Sequence, residues 1–152
     1  MSESKKVLYN RKTASNALME LSNRLTEMDF NDYDIPVDIK DVIIFGSYVK
    51  GVKKVHDLDV FVAATEHREK YEDFWNDRKE TFYDPMKGIE FALTECGKYL
   101  KGKNRVISLH MDAYAFEEEL KIATSDTHYY LMKDGKVDYD VVDHLLMMDV
   151  DD

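Results

Sequence analysis

The chain has 152 residues and a formal charge of −10, with 44% hydrophobic and 12% aromatic residues but only six glycines and two prolines. That length supports one core of ordinary domain size, and the composition excludes wholesale disorder and collagen-like or linker-rich chains. The acidic balance argues against a surface that tracks a phosphate backbone over its whole extent. The charge is uneven, however. From Val137 onward there are six acids (Asp138, Asp140, Asp143, Asp149, Asp151, Asp152) and no Lys or Arg, an acidic C-terminal tail. Lys50, Lys53 and Lys54, and then Lys98, Lys101, Lys103 and Arg105, stand in two stretches without an acid, each able to hold phosphate or to be a solvated loop. Cys96 is the single cysteine, which precludes an intramolecular disulfide and a Cys-based zinc site. With no apolar leader and no run of membrane length, a cytoplasmic protein without a membrane partner is expected.

In chain order, Val7, Ala14, Leu18, Leu21, Leu25 and Met28 recur at steps of three, four or seven, so residues 4–28 read as an amphipathic helix. The polar segment 31–40, with Pro36, leads into Val42-Ile43-Ile44-Phe45, a β-branched run expected to be a buried strand. Gly46 and Ser47 stop it, a short helical turn is expected over 48–54, and residues 57–63 read as a second strand with alternating faces. Residues 66–81 are charged, aromatic and free of breakers, which predicts a helix. Asp84-Pro85 then looks like an N-cap with Pro at the first position of a further helix, running to about Leu100 before Gly102. Residues 105–116 return to strand character, Ile107, Leu109 and Met111 alternating with Ser108, His110 and Asp112. Tyr129 to Val142 reads as a hairpin on Asp134-Gly135, followed by a short C-terminal helix. The whole, residues 1–152, is expected to be one α+β domain with a mixed central sheet, helices packed against it and a helical insertion at about 66–102.

Residues 45–62, FGSYVKGVKKVHDLDVFV, carry the chemical signal. On a strand, residues i and i+2 share a face, so Asp57 and Asp59 point the same way while Leu58, Val60 and Val62 enter the core. Two adjacent carboxylates repel unless protonated or bridged by cations, and two divalent ions about 3.5–4 Å apart would suit them. Gly46 lets a ligand approach the backbone, free N–H groups open the following turn, and the Ser47 hydroxyl can bind phosphate. Carboxylates that bridge metals beside an anion nest suggest a nucleoside triphosphate, and Lys50, Lys53 and Lys54 on the short connection could neutralise its tail.

Phe45-Gly46-Ser47, nine intervening residues after Ser47, and Asp57-Leu58-Asp59-Val60 together resemble the signature of the nucleotidyltransferase superfamily of DNA polymerase beta type. Gly46-Ser47-Tyr48-Val49-Lys50-Gly51 is most similar to the bacterial minimal nucleotidyltransferases within it. The resemblance implies transfer of a nucleoside monophosphate from a triphosphate to an acceptor hydroxyl with Mg2+. It further implies that Asp57 and Asp59 are catalytic metal ligands and that Gly46, Ser47, Lys50, Lys53 and Lys54 bind the nucleotide. The family's third carboxylate lies on a later strand, where Asp112 is the first choice and Asp138 or Asp140 the runner-up. His56 and the long insertion depart from the family pattern. The acceptor, whether protein, small molecule or RNA, is not encoded in these motifs, and its site would have to come from the insertion, the tail or a second subunit of a homo-oligomer. A catalytically silent member that binds a partner through the same fold is the alternative.

Competing motifs fail on their own terms. Gly46 and Gly51 have the spacing of a P-loop, but Val52-Lys53 follows where Lys-Ser/Thr is required, and Phe45 to Val49 is not Gly-x-Ser-x-Gly. The five histidines show no ligand spacing, so ordinary polar roles are expected, with His110 singled out because it shares a strand face with Asp112. Tyr71, Phe74, Trp75, Phe82 and Tyr83 are expected to pack the insertion rather than to stack a base.

Overall fold

A computed structural model of the chain describes residues 8–28, 37–66, 76, 85–111 and 116–148. The helix expected over 66–81, the aromatic residues Tyr71, Phe74, Trp75, Phe82 and Tyr83, and Asp112 lie outside them, apart from Glu66, which ends a strand, and Asn76. Tyr9–Asn10 (β1) precedes the first helix, α1 (Arg11–Met28). The helix thus begins later than the periodicity predicts, because the backbone of β1 is taken up by antiparallel pairing with β3 (Lys54–Val55). Ala14, Ala17, Leu18, Leu21 and Leu25 are all buried, the stripe expected of a helix laid on a sheet.

The sheet has the order β5-β4-β2-β6-β7. Its centre is β2 (Val37–Phe45), antiparallel to β4 (Leu58–Glu66) on one side and to β6 (His128–Lys133) on the other. Parallel β5 (Ile107–His110) and the short β7 (Lys136–Val137) form the edges, so the sheet is mixed, as expected. β2 starts five residues earlier than its apolar run, since residues 37–41 pair with β4 although they read as a turn. β5 is shorter than expected. Phe116, assigned to that strand from the sequence, instead opens a helix, α3 (Phe116–Thr124), where Glu117, Glu118 and Glu119 complement the positive end of the helix dipole. Asp134-Gly135 turns the β6–β7 hairpin, and both residues have positive φ.

Alternation along the strands makes two unequal layers. Val42, Ile44, Leu58, Val60, Val62 and Ile107 point to the main core, closed by α1, by α2 (Pro85–Lys101) through Ala92, Leu93, Cys96 and Leu100, and by α4 (Tyr139–Leu146) through Val142 and Leu145. The opposite face presents Ile43, Phe45, Phe61 and Ala63, against which α3 packs Leu120 and Ala123. Gly97 of α2 faces the β5 end of the sheet, where a Cβ would meet Leu109 Cδ1 at an ordinary 3.7 Å and Met111 Sδ at a tighter 3.2 Å. Cys96 is buried, and its thiol is pushed up to about 12 by desolvation, so it is a packing residue rather than a nucleophile. Among the described residues, no helix is long and apolar enough to cross a membrane.

One buried cation ties the start of α1 to both the loop after β2 and the C-terminal helix. Arg11 donates from Nη1 to Tyr48 O at 2.6 Å and to Val52 O at 3.4 Å, and from Nη2 to Leu145 O at 3.4 Å. Its guanidinium lies 4.1 Å from the centre of the Tyr48 ring, whose hydroxyl meets Ser15 Oγ at 2.8 Å. Carbonyl oxygens and a π face thus replace bulk water around the charge. Replacing Arg11 with Met should lower stability by about 2–3 kcal/mol, because buried charge-assisted hydrogen bonds are lost without a new donor. The check is a reduced urea midpoint at unchanged m-value.

Candidate active site

The end of β2 and the start of β4 meet in one rung, Phe45 opposite Asp59. The chain then turns through Gly46, with φ 82° and ψ −155°, into a single 3-10 turn over Ser47–Lys50. That backbone region is essentially restricted to glycine. A Cβ on Gly46 would also run into Asp59 Oδ2 and lie 3.1 Å from Asp59 Cγ. The torsion therefore calls for glycine, and any Cβ here would also force the Asp59 carboxylate to move. Gly51, at φ 72°, closes the turn with its N–H on Tyr48 O. The helical turn expected over 48–54 is confined to these four residues, because Lys54 and Val55 are drawn into pairing with β1.

Ser47 Oγ accepts a hydrogen bond from the His56 backbone N–H at 3.2 Å. The Gly-Ser end and the Asp-Leu-Asp start are thereby joined directly. Leu58 is fully buried while Asp57 and Asp59 are half-buried on the other face, as the alternation requires. Burial raises the Asp57 pKa first, and the charge of Asp59 raises it further; His56, Lys101 and His110 oppose the shift. The two carboxylates therefore repel within one partly desolvated patch, a donor set that a cation would relieve. Residues with these donors fit a hard divalent ion such as Mg2+.

The lysines of the connection are held in different ways. Lys50 Nζ pairs with Asp126 Oδ2 at 2.9 Å, and Lys54 Nζ donates to Asn10 Oδ1. The Lys53 carbonyl accepts the Arg11 N–H at 3.1 Å. Of the second basic stretch, Lys101 is near enough to Asp57 to favour its ionised form. Asp138 and Asp140 are not on a strand as the alternation suggests. Asp138 caps α4, accepting from the Asp140 and Val141 N–H groups. It follows β7, three strands from β4 in the sheet order, which removes both residues from the carboxylate pair. On β5 the residue opposite Asp59 is Ser108.

Two residues of the site come from elements that the sequence marks weakly. His110 Nε2 lies 3.4 Å from Asp59 Oδ1, and its Nδ1 lies 3.0 Å from Glu119 Oε2 on α3. Sequence reasoning singled out His110 only as a neighbour of Asp112 and missed Glu119. The available signal was Phe116, Leu120 and Ala123 at helical spacing, with three acids between the first two. The hydrogen bond to Asp59 raises the His110 pKa most; burial opposes it, and Glu119 adds to the rise.

Two outcomes test this geometry. Gly46→Ala should cost about 1–3 kcal/mol from backbone strain and collision, and the cost should shrink when Asp59 is also Ala, as read by a double-mutant cycle in urea. The raised His110 pKa means that the folded state without metal binds the proton more tightly than the unfolded chain. That stabilisation is therefore present below the ordinary value of 6.5 and is lost as the pH rises through the higher folded value. His110→Asn should flatten this slope of stability against pH.

No curated protein and no solved structure gives a significant match to this chain. The family model of the nucleotidyltransferase domain matches residues 23–135, a stretch that runs from within α1 through β2, β4, β5 and β6 and ends just before β7. With the Gly-Ser turn closing over Asp59 of β4 inside that stretch, the chain belongs to the nucleotidyltransferase-domain family.

Proposed function

We propose that this protein transfers a nucleoside monophosphate from a nucleoside triphosphate to an acceptor hydroxyl, assisted by Mg2+ or a similar divalent cation. The observation that carries the reading is the single rung that sets Gly46 on Asp59, with Ser47 tied to the residue before Asp57. Phosphate and cation then share one small volume, as phosphoryl transfer needs. Asp57 and Asp59 would hold the cation, and Asp112 remains the proposed third carboxylate. When bound, the cation would neutralise charge on the transferring phosphoryl group and on the pyrophosphate that leaves. Ser47 would orient a phosphate oxygen through its hydroxyl while its acceptor side stays fixed by the His56 N–H. Lys50, released from Asp126 on the exposed surface, would reach the triphosphate tail together with Lys53 and Lys54.

The Gly-Ser-Tyr-x-x-Gly turn supports kinship with the minimal nucleotidyltransferases, and we place the enzyme in the cytoplasm. Its acceptor is a protein, small-molecule or RNA hydroxyl, with the insertion, the tail or a second subunit supplying the acceptor site. One observation favours the silent alternative: Ser108 rather than an acid stands opposite Asp59.

The two readings part on metal-dependent triphosphate binding. A triphosphate with Mg2+ at a hundred times its dissociation constant should add about 2.7 kcal/mol, a rise of roughly 5–10 °C in melting temperature. Asp59→Asn should abolish that rise and magnesium-dependent pyrophosphate release, yet leave the metal-free fold equally or slightly more stable at a pH above the raised His110 value, where His110 is neutral and one of two neighbouring negative charges is gone. Absence of any shift with all four triphosphates would establish the silent reading. A less stable metal-free Asp59→Asn that still binds nucleotide would make Asp59 a structural residue.

A further inference from the structure

Behind Asp59, the second face of the sheet carries a relay of side chains drawn from three elements. β5 sets Ser108 opposite Asp59 and His110 opposite Phe61. The His110 ring leans back along the strand, so that Nε2 stands 3.4 Å from Asp59 Oδ1 and 3.4 Å from Ser108 Oγ. α3 crosses this face and brings Glu119 Oε2 to 3.0 Å from Nδ1. Phe45, with its ring centre 5.2 Å from that of His110, restrains the imidazole further. The side chains of Asp59, His110 and Glu119 are each only about a quarter exposed, at 26%, 27% and 25%.

An imidazole whose Nδ1–H donates to a carboxylate has its tautomer and ring plane set and its Nε2 made more basic, the arrangement found behind histidines that bind metals. Here the other nitrogen, Nε2, faces the carboxylate that the proposed reaction needs for a cation, and a cation would replace the proton that the two share in the metal-free fold. An ion about 2.1–2.2 Å from each of two donors at this separation would see them at roughly 100–110°, an angle both tetrahedral and relaxed octahedral sites accept. Asp59 and His110, with Asp57 beside them, still leave a coordination sphere open. Ions of this class routinely complete their shell with phosphate oxygens and water.

We propose that His110 Nε2, oriented by Glu119 as its positioning residue, is a nitrogen donor to the cation held at Asp59, and that it biases the site toward Mn2+ over Mg2+. The inference rests on the metal-assisted reading above. It follows from ligand softness: Mg2+ is served by oxygen alone, whereas imidazole suits the first-row transition ions. Ser108, opposite Asp59, is small and leaves room for the ring beside that carboxylate. His110 thus makes metal choice a property of this chain's own sheet edge.

The decisive measurement is electron spin-echo envelope modulation of Mn2+ bound to the full-length protein, alone and with each of the four nucleoside triphosphates. The wild type should show directly coordinated 14N, and His110→Asn should lose it together with its preference for Mn2+ over Mg2+ in competition titrations. Glu119→Ala should weaken Mn2+ binding about 10–100-fold, and Glu119→Gln should restore most of it because the amide oxygen still accepts from Nδ1–H. Melting of the metal-free variants separates these effects from unfolding, and the wild-type spectrum stands whether or not a variant folds. Mn2+ bound with triphosphate but without nitrogen modulation would overturn the proposal and leave nucleotidyl transfer standing. So would His110→Asn binding Mn2+ more tightly, which would make His110 a counter-charge that the ion displaces. Failure of Mn2+ and Mg2+ to bind with any triphosphate would overturn both.

Discussion

The end of β2 can close over Asp59 only because residue 46 has no Cβ. Both the left-handed torsion of Gly46 and the carboxylate lying against its Cα exclude any other side chain without displacement. From that contact the remaining geometry follows in order. The rung Phe45–Asp59 sets the register of β2 with β4, the register puts Asp57 and Asp59 at the mouth of the turn, and Ser47 reaches back to His56. A one-residue slip would turn both acids into the main core and bring Leu58 out, so burial of Leu58, Val60 and Val62 enforces the same register from the opposite face.

The turn itself is held from behind. Arg11 binds the Tyr48 carbonyl at the centre of the turn and the Leu145 carbonyl of α4 from a buried position, so the start of α1, the candidate nucleotide loop and the C-terminal helix share one charged clamp. A guanidinium serves here because its donors radiate in a plane toward several carbonyl oxygens at once while its face stacks on Tyr48, a geometry that a lysine ammonium cannot copy. The loop is therefore supported by the main core, whereas the acidic side chains it faces belong to the thinner layer under α3. Stability and chemistry are divided between the two faces of one sheet.

That division bears on the electrostatics of the site. Asp57 and Asp59 are close enough to raise the Asp57 pKa, and they are only partly desolvated, so their repulsion is moderated rather than removed. His110 supplies part of the compensation within the protein, drawing on Glu119 as well as Asp59. One imidazole thus softens a cluster of like charges within the fold itself. Lys50, paired with Asp126 at the exposed end of the turn, is similarly held by an interaction that water already weakens.

What the amino-acid sequence determined by itself was local. Gly46-Ser47, the spacing to Asp57-Leu58-Asp59 and the alternation of that strand made the family and the facing of the two acids legible, because strand periodicity and glycine torsion act within a few residues. The stripe of α1, the Pro85 start of α2 and the Asp134-Gly135 hairpin were legible for the same reason. The early start of β2, the brevity of β5 and the helix at Phe116 were not, since pairing partners and a sheet face to cover decide them. Asp138 looked like a strand acid until the fold made it a helix cap. His110 and Glu119, nine residues apart on a strand and a helix, met over Asp59 only through the tertiary structure: no local periodicity encodes an encounter between side chains that depends on where a helix crosses a sheet.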